Sequence, residues 1–544
     1  MLMGIAKMED FGRTDAMTAA EDVARPAERK SLADFLKLGW YIFYLCIVNE
    51  LMVLVLLGNL AFMMYGGAAP QVVGCGGTSL REAENVCTDL RTLRSNNSCE
   101  VQLDAQFKSI NYEFELVCED SLAVKNSISI QMIGMMLGAA ILGQLSDRYG
   151  RKKILTMSIT GVMVTMAASY FTRTLFEFNV ARFLTMFFSG GQASSQITFI
   201  MEVIPKKHRV WIVTALSTSP NYIILAGLAY VGEDWRNLSL YISMAAAVTV
   251  VLLLFIYESP RWFIQKGRLE EARHVMFSID KWNGTHTEER AKQFEVAVEY
   301  ERQLFESMST KKQYTFVHLF YTWKLTGYIL TLSFTLLTAS LLSYALLFNM
   351  DKLSGSIYMN SFFFGLLRWA LNAIVGLVDY FIPKAGRRVV HHITMGYLFA
   401  SLSLIFVIEV FGIHAPLLVR ITTLSACAIC SQLFLVAGVA TAEIFPTAIR
   451  TIAVSFTQIV NKVGTVISPH LFTTALLWKP LPYAIMIGLI LVEVVAYCIL
   501  IPESKGTMND LMPPPEERIF ARRPQEMVTL KKSDLEAQKL TEDS

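Results

Sequence analysis

The chain has 544 residues, 53% of them hydrophobic and only 17% charged, with a mean hydropathy of +0.42. Soluble domains carry roughly 45–50% apolar and about 25% charged residues, so a purely soluble fold is excluded, as are collagen-like and wholly disordered chains. Its 48 basic and 46 acidic residues leave a net charge of +2, which gives no global attraction for nucleic acid.

Residues 1–37 are polar and read as a cytoplasmic N-terminal segment, with no run long enough for a signal peptide. An N-terminal half, 38–257, opens with an apolar run from near Gly39 to near Tyr65, which serves as span and internal targeting signal together. A polar segment, 66–125, follows and contains Cys75, Cys87, Cys99 and Cys118. An even set of cysteines in a hydrophilic stretch predicts two disulfides in an oxidising compartment, and three pairings remain open. The spacings are long and no histidine falls in the segment, so no metal site is expected. Asn96-Asn97-Ser98 makes Asn96 a glycosylation acceptor if the loop lies outside. Apolar runs then lie near 127–146, 154–172, 176–200, 211–231 and 237–257. A charged cytoplasmic linker with helices, 258–323, leads to a C-terminal half, 324–501. That half has runs near 324–349, 357–381, 391–412, 415–441, 452–477 and 481–501, before a polar cytoplasmic tail, 502–544. Each run is about the length that crosses a bilayer as a helix. The expectation is an all-α membrane protein of twelve transmembrane helices. Lys and Arg gather at 25–37, 148–153, 206–209, 261–273, 384–388 and the tail. The positive-inside rule then puts both termini in the cytoplasm and the cysteine loop outside. The acceptor at Asn283-Gly-Thr285 falls on the inner side and stays unused.

Three elements recur in register. Glu202-Val-Ile-Pro-Lys-Lys-His-Arg209 and Glu443-Ile-Phe-Pro-Thr-Ala-Ile-Arg450 both read E-x-x-P-x-x-x-R, 241 residues apart. Glu258-Ser259 and Glu503-Ser504 lie 245 apart, and Gly150-Arg151 and Gly386-Arg387 lie 236 apart. Three matches at nearly one period argue for two related six-span halves. Gly143, Asp147, Arg148, Gly150 and Arg151, with Glu202, Arg209 and Glu258, and Arg387, Arg388, Glu443 and Arg450 in the second half, supply tight turns and ion pairs at span ends. Such a set can act as a conformational latch between helices, beyond retaining loops in the cytosol.

Gly143-Gln-Leu-Ser-Asp-Arg-Tyr-Gly-Arg-Lys152 resembles the G-x-L-x-D-R-x-G-R-K loop of the major facilitator superfamily. Glu258-Ser-Pro-Arg-Trp262 with Gly267-Arg268-Leu269 and Ala272, the large cysteine-bearing first loop, and Ala442-Glu-Ile-Phe-Pro-Thr447 resemble the organic ion transporter family within it, from about 35 to 506. The resemblance implies the major facilitator fold, two pseudo-symmetric halves around a central cavity, and transport of organic cations, anions or zwitterions across plasma membranes by alternating access.

Polar residues inside spans are costly and usually face a cavity. Ser455, Gln458, Lys462, Thr465 and Ser468 step along one helical face of the eleventh run, flanked by Asn461. In the family the second position of the segment resembling Asn461-Lys462-Val-Gly-Thr-Val-Ile-Ser-Pro469 carries Asp in cation transporters and Arg in anion transporters. Lys462 matches the anion branch in sign. Ser361, Arg368, Asn372 and Asp379 share a face of the eighth run; the anion transporters place a Lys near Asn372 and an acid near Arg368, so this chain departs at both. Glu50 lies mid-span and needs a partner or a proton. Pairing with Lys462 or Arg368 is expected, with a coupling proton as the alternative. Tyr344 matches an aromatic cavity position of the anion transporters, and Asn221-Tyr222 follows Pro220 in the fifth run. Arg182 and Arg420 are read as structural, Glu409 and His391-His392 as interfacial, and Glu493 as paired.

No ATP-binding loop and no hydrolase or zinc-protease string is present, so neither a pump nor an enzyme is expected, and no cofactor. The reading is a secondary transporter of organic ions at the plasma membrane, with anions preferred, by exchange for a counter-anion or with a proton. Its partners are a small organic ion and the lipid membrane, and no nucleic acid. A cation or zwitterion transporter is the first rival, and a non-transporting surface receptor on a transporter scaffold the second.

Overall fold

The computed structural model describes residues 38–76, 78–80, 86–96, 99–205, 219–285, 287–309, 315–381 and 386–504. Twelve long helices stand where the apolar runs predict them. In the first half they are α1 (Trp40–Leu60), α2 (Leu122–Tyr149), α3 (Arg151–Tyr170), α4 (Leu175–Val203), α5 (Ser219–Gly232) and α6 (Trp235–Leu253). In the second they are α7 (Trp323–Leu347), α8 (Ile357–Phe381), α9 (Arg387–Phe411), α10 (Pro416–Ile444), α11 (Thr447–Leu471) and α12 (Leu481–Leu500). Eight are long and apolar enough to cross a membrane by composition alone. The others fall short for visible reasons. α3 opens on Arg151-Lys152-Lys153, α4 carries Gly190-Gly191-Gln192 and Ser194-Ser195-Gln196 in its middle, α11 carries Arg450 and Lys462, and only 14 residues of α5 are described. Outward faces are apolar: Val164, Ile197, Met244, Ile374, Ile393 and Val495 are all exposed, as a surface in lipid requires. Arg209, both terminal segments and the first residues of the fifth run lie outside the described residues.

Within the first half α2 packs on α4, α4 on α3, and α3 on α6; in the second α7 packs on α11, α10 and α12. The halves meet along two seams, α2 with α11 and α5 with α8. Their cores differ at the two ends. One cluster takes residues from both halves, among them Tyr65, Phe107, Tyr222, Leu346, Phe364 and Phe472. Two further clusters each belong to one half: Tyr41, Leu155, Phe199, Trp262 and Met276 in the first, and Leu319, Phe445, Ile449, Tyr497 and Ile501 in the second. The halves therefore join at the cysteine-loop end and keep separate cores at the other.

The cysteine loop is not purely helical. Strands β1 (Gln71–Cys75), β2 (Thr78–Ser79) and β3 (Val101–Asp104) form an antiparallel sheet in the order β2-β1-β3, with Gly74 opposite Ser79 and Gln71 opposite Asp104. The pairing is Cys75–Cys99 and Cys87–Cys118, with Cα atoms 5.4 and 5.6 Å apart. The first disulfide ties β1 to the residue leading into β3. The second ties a loop helix, Val86–Asn96, to the turn before α2. The side chain of Asn96 and the rest of its acceptor motif lie outside the described residues. Cys46, Cys427, Cys430 and Cys498 are free. At the opposite end helices Pro260–Gln265, Leu269–Trp282 and Glu288–Ser309 fill the charged linker. Asn283 there uses its side-chain oxygen to accept from the Tyr41 amide at 3.0 Å.

Candidate transport site

At the parted end the recurring motifs build matching clamps. Gly150 between α2 and α3 has φ +119°, and a Cβ there would come 2.5 Å from Glu258 Oε2. Glu258 accepts from the amides of Lys152 at 2.8 Å and of its neighbour Ser259 at 3.1 Å, so it satisfies an orphan donor at the start of α3. Burial pushes its carboxyl above the usual glutamate value, and those amides offset part of the rise. In the second half Glu503 accepts from the amides of Arg387 at 2.8 Å and Arg388 at 3.2 Å, at the start of α9. Arg151 pairs with Asp147 and reaches Glu202 at 3.3 Å; Arg387 reaches Glu443 at 3.6 Å. Arg450 donates to the Phe445 carbonyl at 3.3 Å. Trp262 donates to the Asp147 carbonyl at 3.0 Å, holding the linker against α2. These bonds lie inside one half or the other. Asp147 remains 66% exposed even so.

The central groups gather at the two seams. At the α5–α8 seam the Arg368 guanidinium lies over the Tyr222 ring at 5.6 Å, and Tyr222 meets Phe364 edge-on at 4.8 Å. Gly365 lets the two helices touch, since a Cβ there would stand 2.9 Å from Tyr222 Cβ. Tyr344 of α7, stacked with Phe348 at 5.8 Å, is within electrostatic reach of Tyr222 and Arg368. Cys427 of α10 joins the group. One turn along, Asn372 donates to Ser219 at 3.0 Å and accepts from Ser431 at 3.1 Å and Gln432 at 2.6 Å. Its amide is thus committed to holding α5, α8 and α10 together.

Glu50 does not pair with Lys462 or Arg368. Its Oε1 accepts from the buried Asn221 amide at 2.7 Å, and its buried Oε2 has no hydrogen-bond partner. α1 and α5 are neighbours, so Asn221 reaches the carboxylate before any cation on the second half does. At the other seam Lys462 is half-buried and its Nζ lies 3.9 Å from Met135 Sδ of α2. No salt bridge forms at Lys462 or at Arg368 among the described residues, and Arg368 Nε is buried without a partner. The polar stripe of α11 is only partly a lining. Ser455 and Gln458 are exposed, and Gln458 accepts from Asn461 at 3.0 Å. Thr465 and Ser468 are buried and turn back to their own helix.

Arg182 is fully buried. It donates to Gln131 at 3.1 Å and to the Asn59 carbonyl at 3.0 Å, and lies over the Phe62 ring at 4.3 Å. It clamps α1, α2 and α4, as a structural residue. His391 is not interfacial. It is fully buried and paired with Glu493, because α12 places that carboxylate against α9. The only early signal was the pair of charges themselves in apolar runs.

Residues 91–513 match the sugar (and other) transporter family. The chain belongs to that family. Among curated relatives, the human organic cation/carnitine transporter 2 is 27% identical over 420 residues, covering 75% of this chain and 72% of that one. The rabbit solute carrier family 22 member 1 is 28% identical over 414 residues, covering 74% and 71%. Among solved structures, the inward open conformation of the xylose transporter XylE from E. coli aligns with a TM-score of 0.60 at 15% identity, covering 86% of this chain and 98% of that one. The fold is the major facilitator fold, and the protein is a multi-pass secondary transporter, not an enzyme.

Proposed function

We propose that this transporter moves organic anions through the space between its halves, with Lys462 as the charge-selecting group. The observation that carries the reading is the pair of cations at the seams, Lys462 and Arg368, neither joined to an acid among the described residues, while the carboxylate of Glu50 is held by an amide. A cation in a low-dielectric site without a partner favours an anionic ligand. Tyr222, Tyr344 and Phe364 add flat surface for an aromatic body. Asn221, Asn372 and Gln458 hold these groups in place more than they touch cargo. The cysteine loop lies outside and both termini lie in the cytoplasm, which makes the present state inward-facing. The recurring clamps then work as a latch, with Asp147 free of the other half in this state.

Energetics narrow the mechanism. Importing one negative charge against an inside-negative 100 mV costs about 2.3 kcal/mol. Uptake therefore runs by exchange for an internal anion or with a proton. A zwitterionic cargo is the second reading, favoured by the bare Oε2 of Glu50 and by relatives named for organic cations and carnitine. The test is uptake of a labelled aromatic organic anion and a labelled organic cation into cells expressing wild type or Lys462→Ala. Anion flux in the wild type, lowered at least about tenfold in the variant (about 1.4 kcal/mol), supports the reading. Cation flux that survives or rises in the variant overturns the anion assignment. No flux of either with protein at the surface supports the receptor alternative.

A further inference from the structure

A second ionisable pair lies inside the helix bundle, away from the central groups. His391 of α9 and Glu493 of α12 are both 0% exposed, with imidazole Nε2 at 2.9 Å from Glu493 Oε1. Thr335 of α7 reaches the same oxygen at 2.6 Å, and its hydroxyl also lies 3.1 Å from the Thr331 carbonyl. The Tyr497 ring stacks on the imidazole with centroids 3.6 Å apart. Glu493 Oε2 and His391 Nδ1 are buried and without hydrogen-bond partners. The surrounding titratable groups are His392 and Arg388 on α9, Tyr497 and Cys498 on α12, Glu443 on α10, and Glu503 beyond α12. Arg388 is turned toward His392 and the Cys498 carbonyl. From α7 the pair meets the hydroxyl of Thr335.

Neither fixed charge state suits this site. An ionised Glu493 beside a neutral imidazole is a buried anion with one bare oxygen. An imidazolium would leave Nδ1–H as an unpaired donor. The Thr335 hydroxyl has a single proton and two oxygens within reach, so it serves both states of the carboxyl. With Glu493 ionised, Thr335 donates to Oε1. With Glu493 protonated at Oε1, the acid donates to Thr335 Oγ1, and Thr335 turns its own proton to the Thr331 carbonyl. No heavy atom has to move between these patterns.

We infer that His391 and Glu493 form a proton-binding site in the C-terminal half, linked through Thr335 to the position of α7. The proton comes from water and returns to water; the O–H bond at Glu493 is the one made and broken. α7 continues from Thr335 to Tyr344, beside Tyr222 and Arg368. A shift of α7 that withdraws Thr335 removes the carboxylate's hydroxyl donor and favours proton uptake, and by reciprocity proton uptake favours that shift. This linkage rests on the transport reading above, and it supplies the proton that neutralises a monovalent anion in transit.

Two measurements test it. The first is the infrared difference spectrum of the purified full chain between acid and alkaline buffer. It shows a protonated-carboxyl signal that is lost in Glu493→Gln. In Thr335→Val the midpoint of that signal moves to higher pH by about tenfold in proton concentration, since a donor to the charged form is gone. The same signal persisting in Glu493→Gln overturns the site. If that variant fails to elute as a folded monodisperse species, an unmoved midpoint in Thr335→Val overturns it instead. The second uses reconstituted vesicles and a labelled aromatic organic anion. A pH gradient drives accumulation in the wild type, while Glu493→Gln and His391→Gln lose accumulation but keep anion counterflow. Accumulation that survives in Glu493→Gln overturns the coupling. Wild-type vesicles that move no anion overturn the transport reading, and the spectrum still decides the proton site.

Discussion

The closest helix contact in the first half makes a sharp test of the packing. α2 lays Gly134 and Gly138 against the main chain of α4. A Cβ on Gly134 would stand 2.6 Å from the Phe183 carbonyl oxygen, 0.8 Å inside the 3.4 Å at which ordinary contact begins. On Gly138 it overlaps the Phe187 carbonyl outright. Backbone cannot turn aside as a side chain can, so Gly138→Ala must push α2 off α4. Overpacking of this kind costs about 1–3 kcal/mol. The displacement also strains the 3.1 Å bond from Arg182 to Gln131, and a hydrogen bond to a charged group is worth about 1.5–3 kcal/mol. Alanine returns about 1 kcal/mol in helix propensity. The net expectation is a loss of about 1.5–5 kcal/mol. The control is Gly227→Ala on α5, where an added Cβ meets nothing within 4 Å, and which should gain up to about 1 kcal/mol. Fluorescence-detected thermal unfolding of the two purified variants reads the difference. A Gly138→Ala protein that melts with or above Gly227→Ala would refute the close approach.

Three further outcomes follow from the clamps and the loop. Glu258→Ala should destabilise the first half by about 1–2 kcal/mol, because the Lys152 amide at the start of α3 and the Ser259 amide lose their acceptor, whereas Glu258→Gln keeps an acceptor and should melt near wild type. Burial holds the Glu258 carboxyl above its ordinary value, so its contribution is present below about pH 4.3 and lost as pH rises through the raised folded value; the melting temperature of Glu258→Gln should lack that decline, as a pH series will show. Cys87→Ser removes the link to Cys118 and should cost the loop about 2–5 kcal/mol, seen as rapid proteolysis of 66–125 with the bundle intact. Asp351 accepts from the Ala69 amide at 3.0 Å across the joined end, so Asp351→Ala should shift the balance toward the state open at the cysteine-loop end by about fivefold, for about 1 kcal/mol, read as faster labelling of a cysteine placed at Tyr65.

Much of the bundle was legible because a membrane helix needs a long apolar run. The helices that meet no simple apolar criterion show the limit: Gln192 and Gln196 make α4 look less like a span, yet they donate to α1 at the Met52 carbonyl and the Asn49 side chain. The repeated motifs were legible as spacing, and the clamps at Glu258 and Glu503 confirm them as equivalent caps. The disulfide pairing was not, since four cysteines in one loop allow three arrangements and the sheet chooses among them. Partners across helices were the least legible. A periodic face shows that Lys462 and Gln458 point alike, but not which neighbour they meet. Glu50 illustrates this: its charge suggests a cation, whereas the neighbouring helix offers Asn221 first.

The asymmetry between the two ends bears on how such a protein moves. At the cysteine-loop end the halves share one apolar cluster, and the polar links across it are few: Asp351 with Ala69, Gln106 accepting from the Ile357 amide at 3.0 Å, and Tyr358 donating to the Gln106 carbonyl at 2.8 Å, with Tyr65 against Tyr358. Each hydrogen bond is worth about 1 kcal/mol net, and the shared apolar contact carries the rest of the joint. The stronger terms, Arg151 with Asp147 and Glu202 and Arg387 with Glu443, lie within the halves. They keep each six-helix half rigid and do not cross the joint between them. A rocking motion needs that division: if the ion pairs bridged the halves in this state, opening would have to break buried charge contacts of several kcal/mol. With Asp147 exposed and its half intact, closure at this end can form new contacts without first breaking old ones.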